Sequence, residues 1–474
     1  MLTLGTVVEA LTGQSFAFLD QVVTDGAIDS RLAIPGSLFV ALPGERADGH
    51  DYLAQAFERG AVAALIERDV PGPWTVLDLR RPLTEEQAHA CRAPVCLRVP
   101  AALPALQAVA AAWRARLQGL RVIGITGSVG KSSTKELAAE VLEGSYRTLR
   151  NPGNLNNEIG LPLSMLRLTE AHERAVLEMG FYVPGEIALL CSIARPQVGM
   201  VTNISPVHLE RAGTIEAIVA GKAELVESLP AAPDGVAVLN ADDDLVMSMA
   251  ARTQARVFTY GLTPSAELWA SDDEGLGLEG IRFILHHGRE AFHVHVPLLG
   301  RHSVHTALRA AAVALIEGMP WDAILDGLQN TQSQLRLVAV QGPRGALLLD
   351  DTYNAAPSSV IAALNLLAEL DGRRVAVLGD MLELGEFEER GHRMVGARVA
   401  EVASELVTVG ERARWIADEA ARSGLGTTRI SAVPDSAAAT ELLRGRIGEG
   451  DVVLIKGSRG MHMDAIIAGL EEAA

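Results

Sequence analysis

The sequence predicts an α/β fold in three domains, and three observations carry that prediction. The chain has 474 residues, about three domains' worth at roughly 150 residues each. Short apolar runs bounded by Gly, Pro or polar residues recur along it, as buried parallel strands do. Helical stretches separate these runs, and such alternation builds a parallel sheet covered on both faces. The expected domains are residues 1–100, 101–330 and 331–474.

Composition narrows the class. Hydrophobic residues make up 49% and charged residues 21%, which excludes wholesale disorder. The net charge of −18 opposes general nucleic-acid binding, which needs clustered cations. No apolar run reaches the roughly 18 residues of a membrane span. The stretch Met1–Gly13 has no basic start and meets Glu9 early, unlike a signal peptide. Cys91, Cys96 and Cys191 are an odd number, so no disulfide framework is expected; a Cys91–Cys96 metal pair is the less favoured reading beside buried or loop thiols. A cytoplasmic monomer with no nucleic-acid or membrane partner is the expectation.

In the first region the runs Leu38–Leu42 and Ala61–Ile66 read as strands between Pro35-Gly36 and Pro43-Gly44 turns. Pro71–Pro73 and the stretch from Arg92 to Pro94 read as loops. Leu103, Leu106, Val109, Ala110 and Trp113 mark a helix leading into the second region. There the candidate strands are Arg121–Thr126, Ala175–Met179, Val198–Ile204 and Val236–Asn240, while Trp269–Val296 alternates like antiparallel strands. The third region offers Ala346–Leu349, Arg374–Leu378, Leu406–Val409 and Val452–Ile455. Functional residues in such sheets follow the carboxyl ends of strands, where Asp350, Asp351, Asp380 and Lys456 stand.

The sharpest motif is Gly124-Ile125-Thr126-Gly127-Ser128-Val129-Gly130-Lys131-Ser132-Ser133-Thr134, between a strand and a helix carrying Leu137, Val141 and Leu142. Its glycines let backbone N–H groups curl around phosphate oxygens, and the helix N-terminus adds positive potential. Lys131 would reach the outer phosphates and Ser132 would hold Mg²⁺. The first glycine stands three residues before Gly130, a shorter loop than the general phosphate-loop pattern.

Lysine usage is a second signal. Only Lys131, Lys135, Lys222 and Lys456 occur; the other 37 cations are arginine, so a lysine marks a place where an amine is wanted. Lys222 shares a stripe at helical spacing with Ile215, Ile218, Val219, Leu225, Val226 and Leu229. An inward lysine needs a partner or a depressed pKa. Two readings stay open: a stem that snorkels to water, or a neutral amine that has captured CO₂.

The shortened phosphate loop resembles that of the Mur ligase family, ATP-dependent enzymes that build the peptide of bacterial cell-wall precursors. Asn151-Pro152-Gly153-Asn154-Leu155-Asn156-Asn157-Glu158, Asp351-Thr352-Tyr353-Asn354-Ala355-Ala356-Pro357-Ser358, Leu378-Gly379-Asp380-Met381-Leu382-Glu383-Leu384-Gly385 and Ile455-Lys456-Gly457-Ser458-Arg459-Gly460 are similar to one branch, which adds D-alanyl-D-alanine to UDP-N-acetylmuramoyl-tripeptide. Asp29-Ser30-Arg31, the run Pro35–Gly44 and Asp48-Gly49-His50 resemble the domain that grips the UDP end.

The resemblance implies a UDP-binding α/β domain, a central P-loop ATP-binding domain and a C-terminal Rossmann-like domain that closes over ATP and the dipeptide. It implies ATP contacts at Thr126, Gly127, Ser128, Val129, Gly130, Lys131, Ser132, Ser133, Arg336 and Asp351. It places two Mg²⁺ ions near Ser132, Glu178, His208 and a carbamylated Lys222, with Lys131, Glu178, His208 and Lys222 as the catalytic set. Substrate contacts fall to Ser30, Arg31, Asn154, Asn156, Asn157, Tyr353, Asn354, Lys456 and Ser458. The chain departs from the family at Ser303, Thr306 and Ala356, where asparagine is usual, so adenine contacts from the Gly300–Ala310 stretch are not expected. The rivals are a folylpolyglutamate- or cyanophycin-type ligase and a non-catalytic ATP switch.

Overall fold

The computed structural model describes residues 1–44, 47–206, 209–331 and 337–471. Three sheets follow one another along the chain. The first is parallel, with β1 (Gly26–Ala27), β2 (Leu38–Val40), β3 (Ala63–Ile66), β4 (Thr75–Asp78) and β5 (Val95–Arg98) in the order β1-β2-β3-β5-β4. Its central strands are fully buried, as their unbroken apolar runs require.

The second sheet has nine strands: β6 (Arg121–Thr126), β7 (Thr148–Arg150), β8 (Arg174–Glu178), β9 (Val198–Val201), β10 (Val236–Asn240), β11 (Arg256–Gly261), β12 (Leu268–Gly275), β13 (Ile281–His287) and β14 (Glu290–Val296). Their order is β14-β13-β12-β11-β10-β9-β6-β8-β7, parallel except for the antiparallel ribbon β12–β14. The strand expected at Val198–Ile204 ends at Val201; the polar Thr202 and Asn203 leave the ladder to bond the phosphate loop. β6 lies between β8 and β9, so the chain leaves it at a point where connections diverge to either side, which is where α/β sheets bind ligands.

Alternate residues of β6 bury in opposite cores. Val122 packs with the helix Ala102–Arg116 side, and Ile123 and Ile125 pack under the helices Lys131–Glu143 and Ser303–Ile316. Gly124 lets Leu225 pack close on the strand: a Cβ there would sit 2.9 Å from Leu225 Cδ1 and push that side chain aside. At the opposite end of β6, Arg121 and Arg174 both pair with the fully buried Glu317 carboxylate at 2.8 and 2.5 Å. Tyr146 Oη donates to the Glu317 carbonyl at 2.6 Å, tying the end of the Ser303–Ile316 helix to the sheet.

The third sheet runs β15-β16-β20-β17-β18-β19, from β15 (Val338–Gln341), β16 (Leu347–Asp351), β17 (Arg373–Gly379), β18 (Glu405–Val409), β19 (Ile430–Val433) and β20 (Asp451–Lys456). It is parallel except for β15. Parallel pairing sets Asp351 and Lys456 in register at adjacent strand ends. Among the described residues no helix is long and apolar enough to cross a membrane. All three cysteines are buried free thiols.

Candidate active site

The strand ends of the second and third sheets face a cavity of about 660 Å³. Its central wall carries Ser128 to Ser133, Asn154, Asn156, Glu178, Asn203, His302 and Arg309; its C-terminal wall carries Asp351, Tyr353, Asn354, Lys456 and Ser458.

The phosphate loop is held from below by its neighbours. Gly127 has φ +143°, and a Cβ would stand 1.9 Å from Thr202 Oγ1, so only glycine fits. Gly130, φ +84°, precedes the helix that opens at Lys131. Thr126 Oγ1 donates to Met179 O at 3.0 Å. Asn203 bonds the loop twice, accepting from Val129 N–H at 3.0 Å and donating to Val129 O at 2.9 Å. These contacts fix the loop before any ligand arrives.

Ser132 Oγ donates to Glu178 Oε2 at 2.5 Å, and Asn156 Nδ2 donates to Glu178 Oε1 at 2.8 Å. Glu178 is buried, and Asn151 braces its backbone by accepting from the Glu178 N–H at 2.9 Å. A serine hydroxyl and a carboxylate side by side are hard oxygen donors, which suit Mg²⁺. Asn157 Oδ1 accepts from Gly160 N–H at 2.9 Å ahead of the helix Gly160–Leu166, and Asn157 does not line the cavity.

Lys222 lies inward, as its helical stripe predicts, and is 1% exposed. Its Nζ donates to Gly127 O at 3.0 Å, and Lys131 Nζ donates to the same carbonyl at 2.7 Å. Phe181 lies 4.7 Å beneath the Lys222 amine. Burial, and then the neighbouring Lys131 ammonium, hold the Lys222 pKa well below the ordinary lysine value. Lys222 touches the back of the loop and does not line the cavity itself. His208 and Arg336 lie outside the described residues.

On the facing wall, Lys456 Nζ meets Asp351 Oδ2 at 2.6 Å and donates to Asn354 O at 2.8 Å. Ser458 Oγ accepts from Leu382 N–H at 2.8 Å, which shapes the loop after β17. Asp380 is a structural strand-end residue, accepting from Ala413 N–H at 2.7 Å. Ser30 and Arg31 are outside the cavity; Ser30 donates to Gln55 Oε1 at 2.6 Å and Arg31 pairs with Asp29, two residues before it.

Sequence reasoning missed His302, Asn203 and Arg309. His302 is exposed on the cavity wall, and desolvation by the surrounding protein, Lys456, Arg309 and His305 push its pKa down to about 4. Ser303 and Thr306 also line the cavity. The legible signal was spacing: His302, Thr306 and Arg309 recur at four and three along one helix.

A phosphate loop in a parallel sheet, a carboxylate poised at its serine and a second α/β domain across the cleft define a nucleotide-dependent enzyme. The sequence matches the Mur ligase middle domain at residues 125–314, the glutamate ligase domain of Mur ligases at 335–459 and the Mur ligase family catalytic domain at 26–96. The chain belongs to the Mur ligase family. It is 36% identical to the UDP-N-acetylmuramoyl-tripeptide–D-alanyl-D-alanine ligase of Bacillus subtilis, over 96% of this chain and 94% of that one. The enzyme of the same name from Escherichia coli is 34% identical, over 99% and 98% of the two chains. Among solved structures, MurF from Acinetobacter baumannii superposes with a TM-score of 0.82 at 31% identity, covering 99% of this chain and 98% of that one. MurF from Thermotoga maritima in complex with ADP gives 0.76 at 26%, covering 96% and 98%.

Proposed function

We propose that this chain is an ATP-dependent, ADP-forming amide ligase that joins D-alanyl-D-alanine to UDP-N-acetylmuramoyl-tripeptide in cytoplasmic cell-wall precursor synthesis. The observation that carries the reading is the cavity itself. It sets Lys131 and the Ser132–Glu178 pair opposite Asp351, Tyr353, Asn354 and Lys456. Full-length likeness to ligases of that name supports the substrate assignment.

Residues 1–100 bind the UDP end, with Ser30 and Arg31 as contacts; residues 101–330 bind ATP; residues 331–474 close over ATP and the dipeptide. The tripeptide carboxylate oxygen attacks the γ-phosphorus of ATP, ADP leaves, and an acyl phosphate forms. The dipeptide amine nitrogen then attacks the acyl carbon, loses a proton, and phosphate departs. Lys131 and the loop N–H groups neutralise charge on the phosphate oxygens as it shifts. Asn154, Asn156 and Asn157 serve the muramyl peptide, and Tyr353, Asn354, Lys456 and Ser458 serve the acceptor side. Arg336 and Asp351 belong to the nucleotide. Apposed walls keep water from the acyl phosphate.

Ser132, Glu178, His208 and Lys222 would hold two Mg²⁺ ions, which supply charge neutralisation on phosphate oxygens. A neutral Lys222 amine takes up CO₂ and releases a proton, leaving a carbamate whose anion is favoured by the Lys131 ammonium. The protein acts as a monomer.

The test is phosphate release from ATP with the tripeptide nucleotide, with and without D-alanyl-D-alanine, together with the product mass. Release that needs both substrates, with a product heavier by the dipeptide less one water, is expected. Release with another amine but not the dipeptide would move the chain to another branch. Likeness to folylpolyglutamate synthase, at 18% identity and a TM-score of 0.61, concerns the fold alone.

A further inference from the structure

The helix Ser303–Ile316 carries a cation that the phosphate loop and its lysine do not account for. Arg309 is 5% exposed and lines the cavity. Its Nε donates to Tyr260 Oη at 2.7 Å; Nη1 reaches Thr134 Oγ1 and Nη2 reaches Thr202 O, both at a weak 3.4 Å. All three acceptors are neutral, and among the described residues no carboxylate lies in ion-pair range of the guanidinium. Tyr260 does not supply the charge: burial raises its pKa, so it stays a neutral phenol.

A buried guanidinium without an anion is costly, because desolvation of the charge is not repaid. Two of its five N–H donors have no partner among these bonds. Arg309 also stands directly behind the nucleotide loop: a Cβ on Gly130 would lie 2.9 Å from Nη1. Thr134, its Nη1 partner, sits in the first turn of the helix whose N-terminus would face the phosphates. The guanidinium therefore borders the phosphate loop from the side opposite the β8 strand end that carries Glu178.

We infer that Arg309 is a second phosphate-binding cation of this cavity, taking a polyphosphate oxygen of the nucleotide from the Ser303–Ile316 side while Lys131 serves the outer phosphates. The inference rests on reading the cavity as a nucleotide site. Tyr260 and Thr202 orient the guanidinium, leaving an edge of the fork for the anion, and an anion there supplies the missing counter-charge. Lysine at this position would keep the charge but lose the fork.

The experiment is calorimetry on the full chain with ADP, tripolyphosphate and adenosine as probes, for the wild type and for Arg309→Gln, Arg309→Met and Arg309→Lys. Gln keeps a planar polar group while losing the charge and part of the reach, so it guards against a misfolded Met variant; thermal melting checks each protein. Expected is a loss of roughly 10- to 100-fold in ADP and tripolyphosphate affinity for Gln and Met, unchanged adenosine affinity, and partial recovery with Lys. Equal loss for adenosine and ADP, or wild-type ADP affinity in Arg309→Gln, would overturn the inference and leave Arg309 as a prop for Tyr260. Wild-type protein that binds neither ADP nor tripolyphosphate would overturn the nucleotide reading together with it.

Discussion

Replacing Lys222 with Met should change the pH dependence of folding stability by one proton. The folded amine is fully buried beside Lys131 and its pKa is depressed, so it stays neutral in the folded chain where an exposed lysine would be charged. The unfolded lysine binds a proton below roughly pH 10.4. The unfolded state thus carries one more proton than the folded state, and wild-type stability rises with pH in this window and is lost as pH falls. The slope approaches about 1.4 kcal/mol per pH unit wherever the folded amine is neutral and the unfolded one charged. Met keeps the length and apolar packing and removes the titration. Urea unfolding of both proteins between about pH 8 and 9.5, in CO₂-depleted buffer with chelator, reads the difference directly, because the other groups cancel. The wild-type curve should climb relative to the variant with a slope approaching that value. Parallel curves would mean a charged Lys222 in the fold, and the carbamate argument would collapse with it. Adding bicarbonate should then stabilise the wild type more than the variant, since the carbamate is favoured on the neutral native amine.

Three further outcomes follow from the geometry. Gly127→Ala should abolish ATP binding, because its methyl would lie 1.9 Å from Thr202 Oγ1 at φ +143°; retained ADP binding by calorimetry would refute this. Glu178→Gln keeps the shape but loses the charge beside Ser132, and steady-state turnover should fall at least about 100-fold. Asp351→Ala leaves the Lys456 ammonium buried and unpaired by carboxylate, and should lower stability by about 3 kcal/mol in denaturant titration.

The buried parallel strands were legible because burial on both faces demands unbroken apolar runs. Arg121–Thr126 and Val236–Asn240 match β6 and β10 end to end. Several strands that escaped are short or lie at a sheet edge; β11 is neither, and its alternating part-exposed burial hid it. β7 is three half-buried residues, and β15 and β19 are the outermost strands of the third sheet. They are held by ladder bonds more than by hydrophobic pattern. For the site, the phosphate loop and inward Lys222 were visible because their chemistry is local in sequence. The Asp351–Lys456 pair spans 105 residues and exists only through parallel register. Arg309 hid among 37 arginines, since a sequence does not say which guanidinium is buried.

The clamp on Glu317 bears on how small molecules would select this protein. Two arginines and Tyr146 rivet the Ser303–Ile316 helix to the sheet at the end away from the phosphate loop. The central wall is therefore a pre-built template. The facing wall reaches it across a seam where Arg211 and Glu383 stand 3.9 Å apart, Glu210 packs on Gly385 and Leu299 packs on the core of the third domain. An inhibitor that touches only the central wall would bind every arrangement of the two domains with one affinity. A bridging inhibitor that also engages Asp351 and Lys456 would have its apparent affinity scaled by the fraction of molecules already apposed. Cross-linking the seam should tighten the second kind and leave the first unchanged.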